Sequence, residues 1–386
     1  MAGLATGDTK QPDVAAPLIM HVFPGFGIGG AQVRFAAIAN HFGAAFRHIV
    51  VSLDGNLGCR ERLRPELDVT FPVVEAPKGA TFANALRFRR LLRAWRPALL
   101  VTNNWGAIEW AMANLLPVAR HVHIEDGFGP EERDRQLPRR ALIRRLVLAR
   151  STVVLPSRNL QRIATTIWRL PAGRVHYIPN GIDLERFAAA RAEAPAINTP
   201  PVVGTVAALR AEKNLARLLR AFAAVPPPAR LVIAGDGPER AALEAQARSL
   251  GLEARVRFAG HLDDPASVYA AFDVFALSSD TEQMPLSVIE AMAAALPVAA
   301  TDVGDVRAML AAENTPYVGE LDDSALAGSL TALLGDAALR ARIGAANQVK
   351  ARAEFDQATM FRAYGALWRN ERLPEAACAT SRLGKS

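Results

Sequence analysis

Glu282 and Glu290, separated by seven residues, lie in the segment Ser278 to Ala293, which reads SSDTEQMPLSVIEAMA. Pro285 fits the first turn of a helix, where a missing N–H costs nothing. Glu282 then stands in the loop ahead of that helix, and Glu290 sits near its second turn. Backbone N–H groups of Met284, Leu286 and Ser287 would point out of the helix start. Together with the helix dipole they make an anion site suited to a diphosphate. Two carboxylates flanking it could hold the hydroxyls of a sugar and of a ribose. A plainer reading has Glu282 favouring the helix dipole and Glu290 on the surface. Against it, Glu290 interrupts an apolar run from Val288 to Ala293, and a charge there needs a partner or a ligand.

A second chemical candidate is the loop Gly25 to Gly30, GFGIGG, which follows a strand and opens a helix. Gly25, Gly27 and Gly30 match the GxGxxG spacing, and Asp54 lies 24 residues beyond Gly30, at the end of the second strand. An NAD-dependent oxidoreductase places its ribose-binding acid about 20 residues on. The competing reading is a tight strand-to-helix turn with no ligand.

The elements that must position these groups are short β-rich runs alternating with amphipathic helical runs. Strands are expected at Leu18–Phe23, His48–Leu53, Leu99–Thr102, His121–Ile124 and Thr152–Leu155. A second series is expected at Val202–Ala207, Leu231–Ala234, Val256–Phe258, Val274–Leu277 and Val298–Thr301. Such alternation predicts parallel βαβ units. The fold class is therefore α/β, with two doubly wound Rossmann-like domains facing across a cleft. The expected division is a tail over 1–17, an N-terminal domain over 18–187, a linker rich in Ala and Pro over 188–201, a C-terminal domain over 202–355, a last helix over 356–372 that crosses back to the N-terminal domain, and a tail over 373–386.

Composition bounds the alternatives. Half of the 386 residues are hydrophobic and 22% are charged, which supports large cores and excludes a mainly disordered chain. Cys59 and Cys378 suggest neither a disulfide framework nor a CxxC metal site. A reducing compartment fits, and the cytoplasm is the expected location. No uncharged apolar stretch of about 18 residues predicts a spanning helix. Met1 to Glu185 holds 24 Lys and Arg against 15 Asp and Glu, a net +9, and the remainder has 21 against 23, a net −2. The positive charge belongs to the N-terminal half, pointing to an anionic partner there: a membrane surface or a phosphorylated substrate rather than nucleic acid.

In order and spacing these motifs resemble the family 4 retaining glycosyltransferases of group 1 type, with the GT-B fold, over roughly Leu18 to Glu371. The E-x7-E pattern is Glu282 and Glu290. Matching segments are Gly29 to Ala31, Ile178 to Asp183 (IPNGID), Gly235 to Glu239 (GDGPE), Phe258 to Gly260, Leu296 to Val298 and Thr301 to Gly304. The resemblance implies that Glu282 contacts the donor sugar and Glu290 the ribose. It implies that Lys213 neutralises the leaving diphosphate and that Gly29 and Gly30 let the N-terminal loop close on the substrates. Gly260, Met284, Pro285 and Leu286 would complete the donor site. It implies a nucleotide-sugar donor, an acceptor that is a sugar, a glycan or a lipid-linked glycan, and no metal or other cofactor.

The chain departs from the family at Ala208, where arginine is frequent, and Arg210 is the expected substitute. Gln283, Ala295 and Asp305 stand where glycine is usual, and they are expected to reshape the sugar pocket. A histidine near a strand end often contacts the sugar in this family, which makes His123 and Asp126 candidates beside a structural role for the histidine. The departures also leave open a sugar-nucleotide-binding protein without catalysis. Finally, Leu86 to Arg96 and Arg139 to Arg150 read as cationic amphipathic helices able to lie on an anionic membrane, with packed helices bearing solvated arginines as the plainer alternative.

Overall fold

The structure, a computed structural model, describes residues 15–132, 135–193, 200–261 and 264–374. Seven parallel strands form the first sheet: β1 (Leu18–Phe23), β2 (Arg47–Ser52), β3 (Val69–Thr70), β4 (Leu99–Asn103), β5 (Arg120–Ile124), β6 (Thr152–Leu155) and β7 (Val175–Tyr177), in the order β3-β2-β1-β4-β5-β6-β7. Six parallel strands form the second: β8 (Val202–Val206), β9 (Arg230–Ala234), β10 (Val256–Gly260), β11 (Val274–Leu277), β12 (Val298–Thr301) and β13 (Val318–Gly319), in the order β10-β9-β8-β11-β12-β13. Central strands such as β4, β11 and β12 are buried along their whole length, because helices cover both faces of each sheet.

In each sheet the strand order reverses once, between β1 and β4 and between β8 and β11. Ligands of open α/β sheets bind beyond the carboxyl ends of strands at such a switch point. The loops leaving β1, β4, β8 and β11 are those carrying Gly25 to Gly30, Asn104 to Trp105, Ala207 to Lys213 and Ser278 to Glu282.

The sheets match the expected strands closely, but three strands escape sequence reading. β3, β7 and β13 have two or three residues each, too few for a pattern to show. The linker assignment needs correction. Residues 188–193 continue the helix Leu184–Glu193, and Leu184 and Phe187 are buried in the second domain's core with Tyr269, Phe272 and Val288. The helix is therefore part of the second domain. Positions 194–199 of the expected linker lie outside the described residues, as do 1–14 and 375–386 of the expected tails. Leu373, placed in the C-terminal tail, packs on the first core. The last helix, Gln357–Arg369, buries Met360, Phe361, Tyr364, Leu367 and Trp368 against Ile19, Leu99 and Val122 of the first sheet. The chain thus crosses between the domains a second time.

Three histidines inside the first sheet make the fold acid-sensitive. Burial, aided by His48, holds His21 well below its ordinary value; burial lowers His48 to about 4; burial and neighbouring His123 lower His121 to about 3. The unfolded chain, titrating near 6.5, binds more protons than the folded one below that pH. Stability is therefore full above about 6.5 and falls as the pH drops from there towards the folded values, at up to about 1.4 kcal/mol per pH unit for each histidine. Urea unfolding midpoints measured from pH 8 to pH 5 should fall below pH 6.5, and a His48→Gln variant should fall less steeply.

Candidate active site

The C-terminal half of the cleft is built from the loops after β8 and β11. Ala211–Lys213 forms a single 3₁₀ turn, which delivers Lys213 to the cleft. Its Nζ lies 2.6 Å from Glu282 Oε1, and Ser279 Oγ donates to the same oxygen at 2.8 Å. Ser278 Oγ donates to the Lys213 carbonyl at 3.0 Å, and the Asp280 N–H donates to the Glu212 carbonyl at 2.9 Å, so the two loops are stitched together. Gly304 supports Glu282 from below. It has φ +57°, and a Cβ there would lie 2.3 Å from the Glu282 carbonyl oxygen, so only glycine fits.

The helix Leu286–Ala293 follows. Pro285 is its extended N-cap residue, one position earlier than expected. Leu286 and Ser287 begin the helix, their amides have no partner within it, and both residues line the cavity. Glu290 is packed within the fold and accepts from Tyr269 Oη at 2.7 Å. Burial raises its pKa above the ordinary carboxylate value, opposed by the Tyr269 hydrogen bond and the Arg186 charge.

The opposing half comes from the N-terminal domain. Asp126 follows β5, and its N–H donates to Asn104 Oδ1 at 2.7 Å. Its carboxylate is gripped by Arg34, at 2.5 Å and 2.9 Å, from the helix Gly30–Phe42. Burial alone would lower the Arg34 pKa, but the Asp126 charge overrides this and raises it. Arg34 also donates to Asn180 Oδ1 at 2.8 Å, and Asn180 Nδ2 donates to the Met284 carbonyl at 3.2 Å. One chain of polar contacts thus runs from Asp126 to the turn that opens the Leu286 helix.

Two joined cavities occupy the cleft. One, of about 680 Å³, is lined by Lys213, Glu282, Asp126, Trp105, Arg140 and the start of the Leu286 helix. The other, of about 660 Å³, holds Glu290, Arg210, Arg186, His261 and Gly29. They share Gly30, Asn180, Val206, Ala207, Ala208 and Leu286. Each is within the usual range for a ligand pocket, about 300–1,000 Å³. Among the described residues no group of three or more His, Cys, Asp or Glu side chains gathers to hold a metal ion.

The chain matches two family models end to end: Glycosyltransferase Family 4 over residues 28–186 and Glycosyl transferases group 1 over residues 187–350. It belongs to the family 4 glycosyltransferases. It is 38% identical over 159 residues to a GDP-mannose-dependent alpha-mannosyltransferase of Mycobacterium tuberculosis, covering 39% of this chain and 40% of that protein. It is 34% identical over 143 residues to the 2-deoxystreptamine glucosyltransferase of Streptomyces kanamyceticus, covering 34% and 37%. The matched part spans about two fifths of these curated relatives. A glycogen synthase of Mycobacterium tuberculosis matches over 307 residues at 27% identity, covering 73% of this chain and 72% of that protein. Among solved structures, Anabaena HepE in complex with UDP and glucose superposes with a TM-score of 0.73 at 21% identity, covering 91% of this chain and 99% of that one. Sucrose-phosphate synthase from Thermosynechococcus elongatus gives 0.73 at 22%, covering 92% and 98%. These likenesses establish the GT-B fold.

Within this family 4 glycosyltransferase, Lys213, Glu282, Asp126, Met284, Pro285, Leu286 and Gly30 converge on the first cavity. Glu290, Arg210 and Gly29 converge on the second. Five expectations need correction. His123 does not reach the cleft: it is fully buried between Thr102 Oγ1, 2.8 Å from Nδ1, and Glu125. Its neighbours are polar, and they absorb it into the core. Gly260 lines neither cavity; its φ of +77° lets its carbonyl accept the Gly235 N–H at 2.7 Å. Arg210 does not share a strand face with Ala208, because β8 ends at Val206 and its N–H turns back to the Ala208 carbonyl at 2.9 Å. Ala295 and Asp305, expected to reshape a sugar pocket, do not line the first cavity. Ala295 occupies a left-handed turn after the Leu286 helix, with φ +53°, and Asp305 reaches across to the other domain.

The GxGxxG reading also fails. Gly25, Gly27 and Asp54 line neither cavity. Asp54 is spent on its own turn, accepting from Ser52 Oγ at 3.0 Å and from the Asn56 N–H at 2.8 Å. Sequence reading missed Arg34 as a site residue. Its one signal was a charge breaking the apolar stretch Val33 to Ala36.

Proposed function

We propose that this chain transfers a sugar from a nucleoside diphosphate to an acceptor hydroxyl, with retention of anomeric configuration, in the synthesis of a polysaccharide or other glycan. The observation that carries this reading is the meeting of Lys213, Glu282 and the amino end of the Leu286 helix in the first cavity, with Glu290 in the second and Leu286 shared by both. In this reading the sugar lies beside Glu282 and Asp126, the diphosphate at Lys213 and the helix start, and the nucleoside beside Glu290. As the bond from the anomeric carbon to the phosphate oxygen breaks, the electron pair leaves with the phosphate. Lys213, the helix amides and Arg210 stabilise that charge electrostatically, without a metal ion. The acceptor oxygen bonds to the anomeric carbon on the same face, and its proton passes to the departing phosphate oxygen. Glu282 orients the sugar rather than attacking it. Relatives named for GDP-mannose and solved with UDP make those two nucleotides the first to try.

Calorimetric titration with UDP, GDP, ADP and NAD, followed by product analysis with a labelled donor, tests this. Binding of a nucleoside diphosphate and transfer with retention are expected. Binding of NAD alone would return the chain to the oxidoreductases, and tight nucleotide binding without any turnover would make it a binding protein.

A second reading concerns where the enzyme works. No helix among the described residues is long and apolar enough to cross a membrane. The helices Thr81–Trp95 and Pro138–Leu148, which contain no acidic residue, both pack against the short helix Ile108–Ala113. Their outer faces expose Phe82, Leu86, Leu142 and Leu146, with Leu116 nearby, at 80%, 48%, 54%, 64% and 71% respectively. Arg90, Arg93, Arg139 and Arg145 are exposed among them. Protruding apolar side chains set in a cationic field suit peripheral binding to an anionic membrane on the cytoplasmic side, each arginine adding about 1 kcal/mol. Flotation with phosphatidylglycerol liposomes should carry the protein at low salt, and Leu142→Asp/Leu146→Asp should stay behind. Failure of the parent protein to float would discard this reading.

A further inference from the structure

We infer that Asp305, seconded by Gln283, is a positioning residue that fixes the register of the two domains around the donor before the donor arrives; this rests on the transferase reading. Both residues reach one feature of the other domain, the amino end of the helix Arg158–Thr166. The Asp305 carboxylate is buried and accepts the N–H of Arg158 and, at 3.0 Å, the N–H of Asn159. The next amide, of Leu160, is taken by Ser157 Oγ at 3.2 Å. Three of the four amides that a helix start leaves open are therefore filled, two of them from across the cleft, and the carboxylate faces the positive end of the helix dipole. Gln283 Oε1 accepts from Asn159 Nδ2 at 3.5 Å, and its Cγ lies 3.5 Å from the position a Cβ on Gly127 would take. The side chain thus fills the gap next to Asp126.

The second end of this bridge is the sugar-side loop itself. The Asp305 N–H donates to the Gln283 carbonyl at 2.9 Å, and Gly304 packs under the Glu282 carbonyl with no room for a Cβ. Glu282 is one residue away, with its carboxylate on Lys213. A shift of the Arg158 helix is therefore passed through Asp305 to the backbone of Glu282. With glycine at 283 and 305 neither link exists, and the loop would follow the donor alone.

The test uses the full chain with Asp305→Gly, Asp305→Asn and Gln283→Gly, their folding checked by circular dichroism. Small-angle scattering without ligand should give a larger radius of gyration for Asp305→Gly than for the parent. Its kcat should fall about tenfold, the population change from losing one helix cap. Asp305→Asn, which keeps one acceptor oxygen, should recover part of both effects. Affinity for UDP or GDP should be unchanged, because Lys213, Glu290 and the donor helix are untouched. A parental scattering curve for Asp305→Gly overturns the inference, whatever its kcat. A parent protein that neither binds a nucleoside diphosphate nor turns over a donor overturns the transferase reading instead, while the scattering comparison still reads the interdomain link.

Discussion

Lys213→Ala lowers kcat for transfer by about a hundred- to a thousandfold, the usual effect of removing one preorganised group from a developing oxyanion. The ammonium is held within 2.6 Å of Glu282 and against the loop after β11, so its position is set before substrate binds and no reorganisation is needed during the reaction. The Lys213 side chain is only partly buried, at 25% exposure, so its loss costs little stability and the melting temperature should stay near that of the parent. Glu282→Ala should be comparably slow. The double variant should be little worse than either single one, because both groups act on the same transition state. A folded Lys213→Ala protein with near-parental turnover would sink the assignment of the diphosphate to this end of the cleft.

Glu290→Gln separates binding from stability. Burial raises the Glu290 pKa, so between the unfolded and folded values the folded state holds the extra proton. Stability contributed by this group is present at low pH and is lost as the pH rises through the folded value. Above the raised value the ionised carboxylate is therefore a cost to the empty enzyme. Glutamine keeps the shape and an oxygen for Tyr269 but not the charge. The unliganded variant should melt higher than the parent at pH 7. Its nucleotide affinity should fall about tenfold or more, since a hydrogen bond to a charged acceptor contributes about 1.5–3 kcal/mol. The parent's affinity should also weaken as the pH falls through the raised value, and that limb should be missing in Glu290→Gln. Calorimetry and thermal melts across pH 5 to 8 read both effects; equal nucleotide affinity in the two proteins removes Glu290 from the ribose site.

Residues 278 to 293 show how far local pattern reaches. An apolar strand, a proline at the helix start and a glutamate inside an apolar run were enough to place Glu282 in the loop ahead of a helix and Glu290 on that helix. Each depends only on neighbours in sequence and on helix geometry. His123 shows where this ends. Its alternating strand position is the same whether the side chain meets substrate or Thr102 and Glu125, and only the packing of β4 beside β5 decides. Helix Leu184–Glu193 makes the same point. Its alanine-rich end from Ala188 looked like the start of a linker, yet Leu184 and Phe187 anchor the helix in the second core.

The sequence by itself determined most of the two parallel sheets and the loop and helix that carry Glu282 and Glu290, because strand burial, helix starts and glycine turns are local properties of the chain. Only the tertiary structure decided that Arg34 would hold Asp126, and that Asp305 would cap a helix 147 residues earlier in the chain rather than shape the sugar pocket. The first contact joins two elements of one domain 92 residues apart, and the second joins the two domains; both are fixed by how distant elements pack, a relation that no short-range pattern encodes.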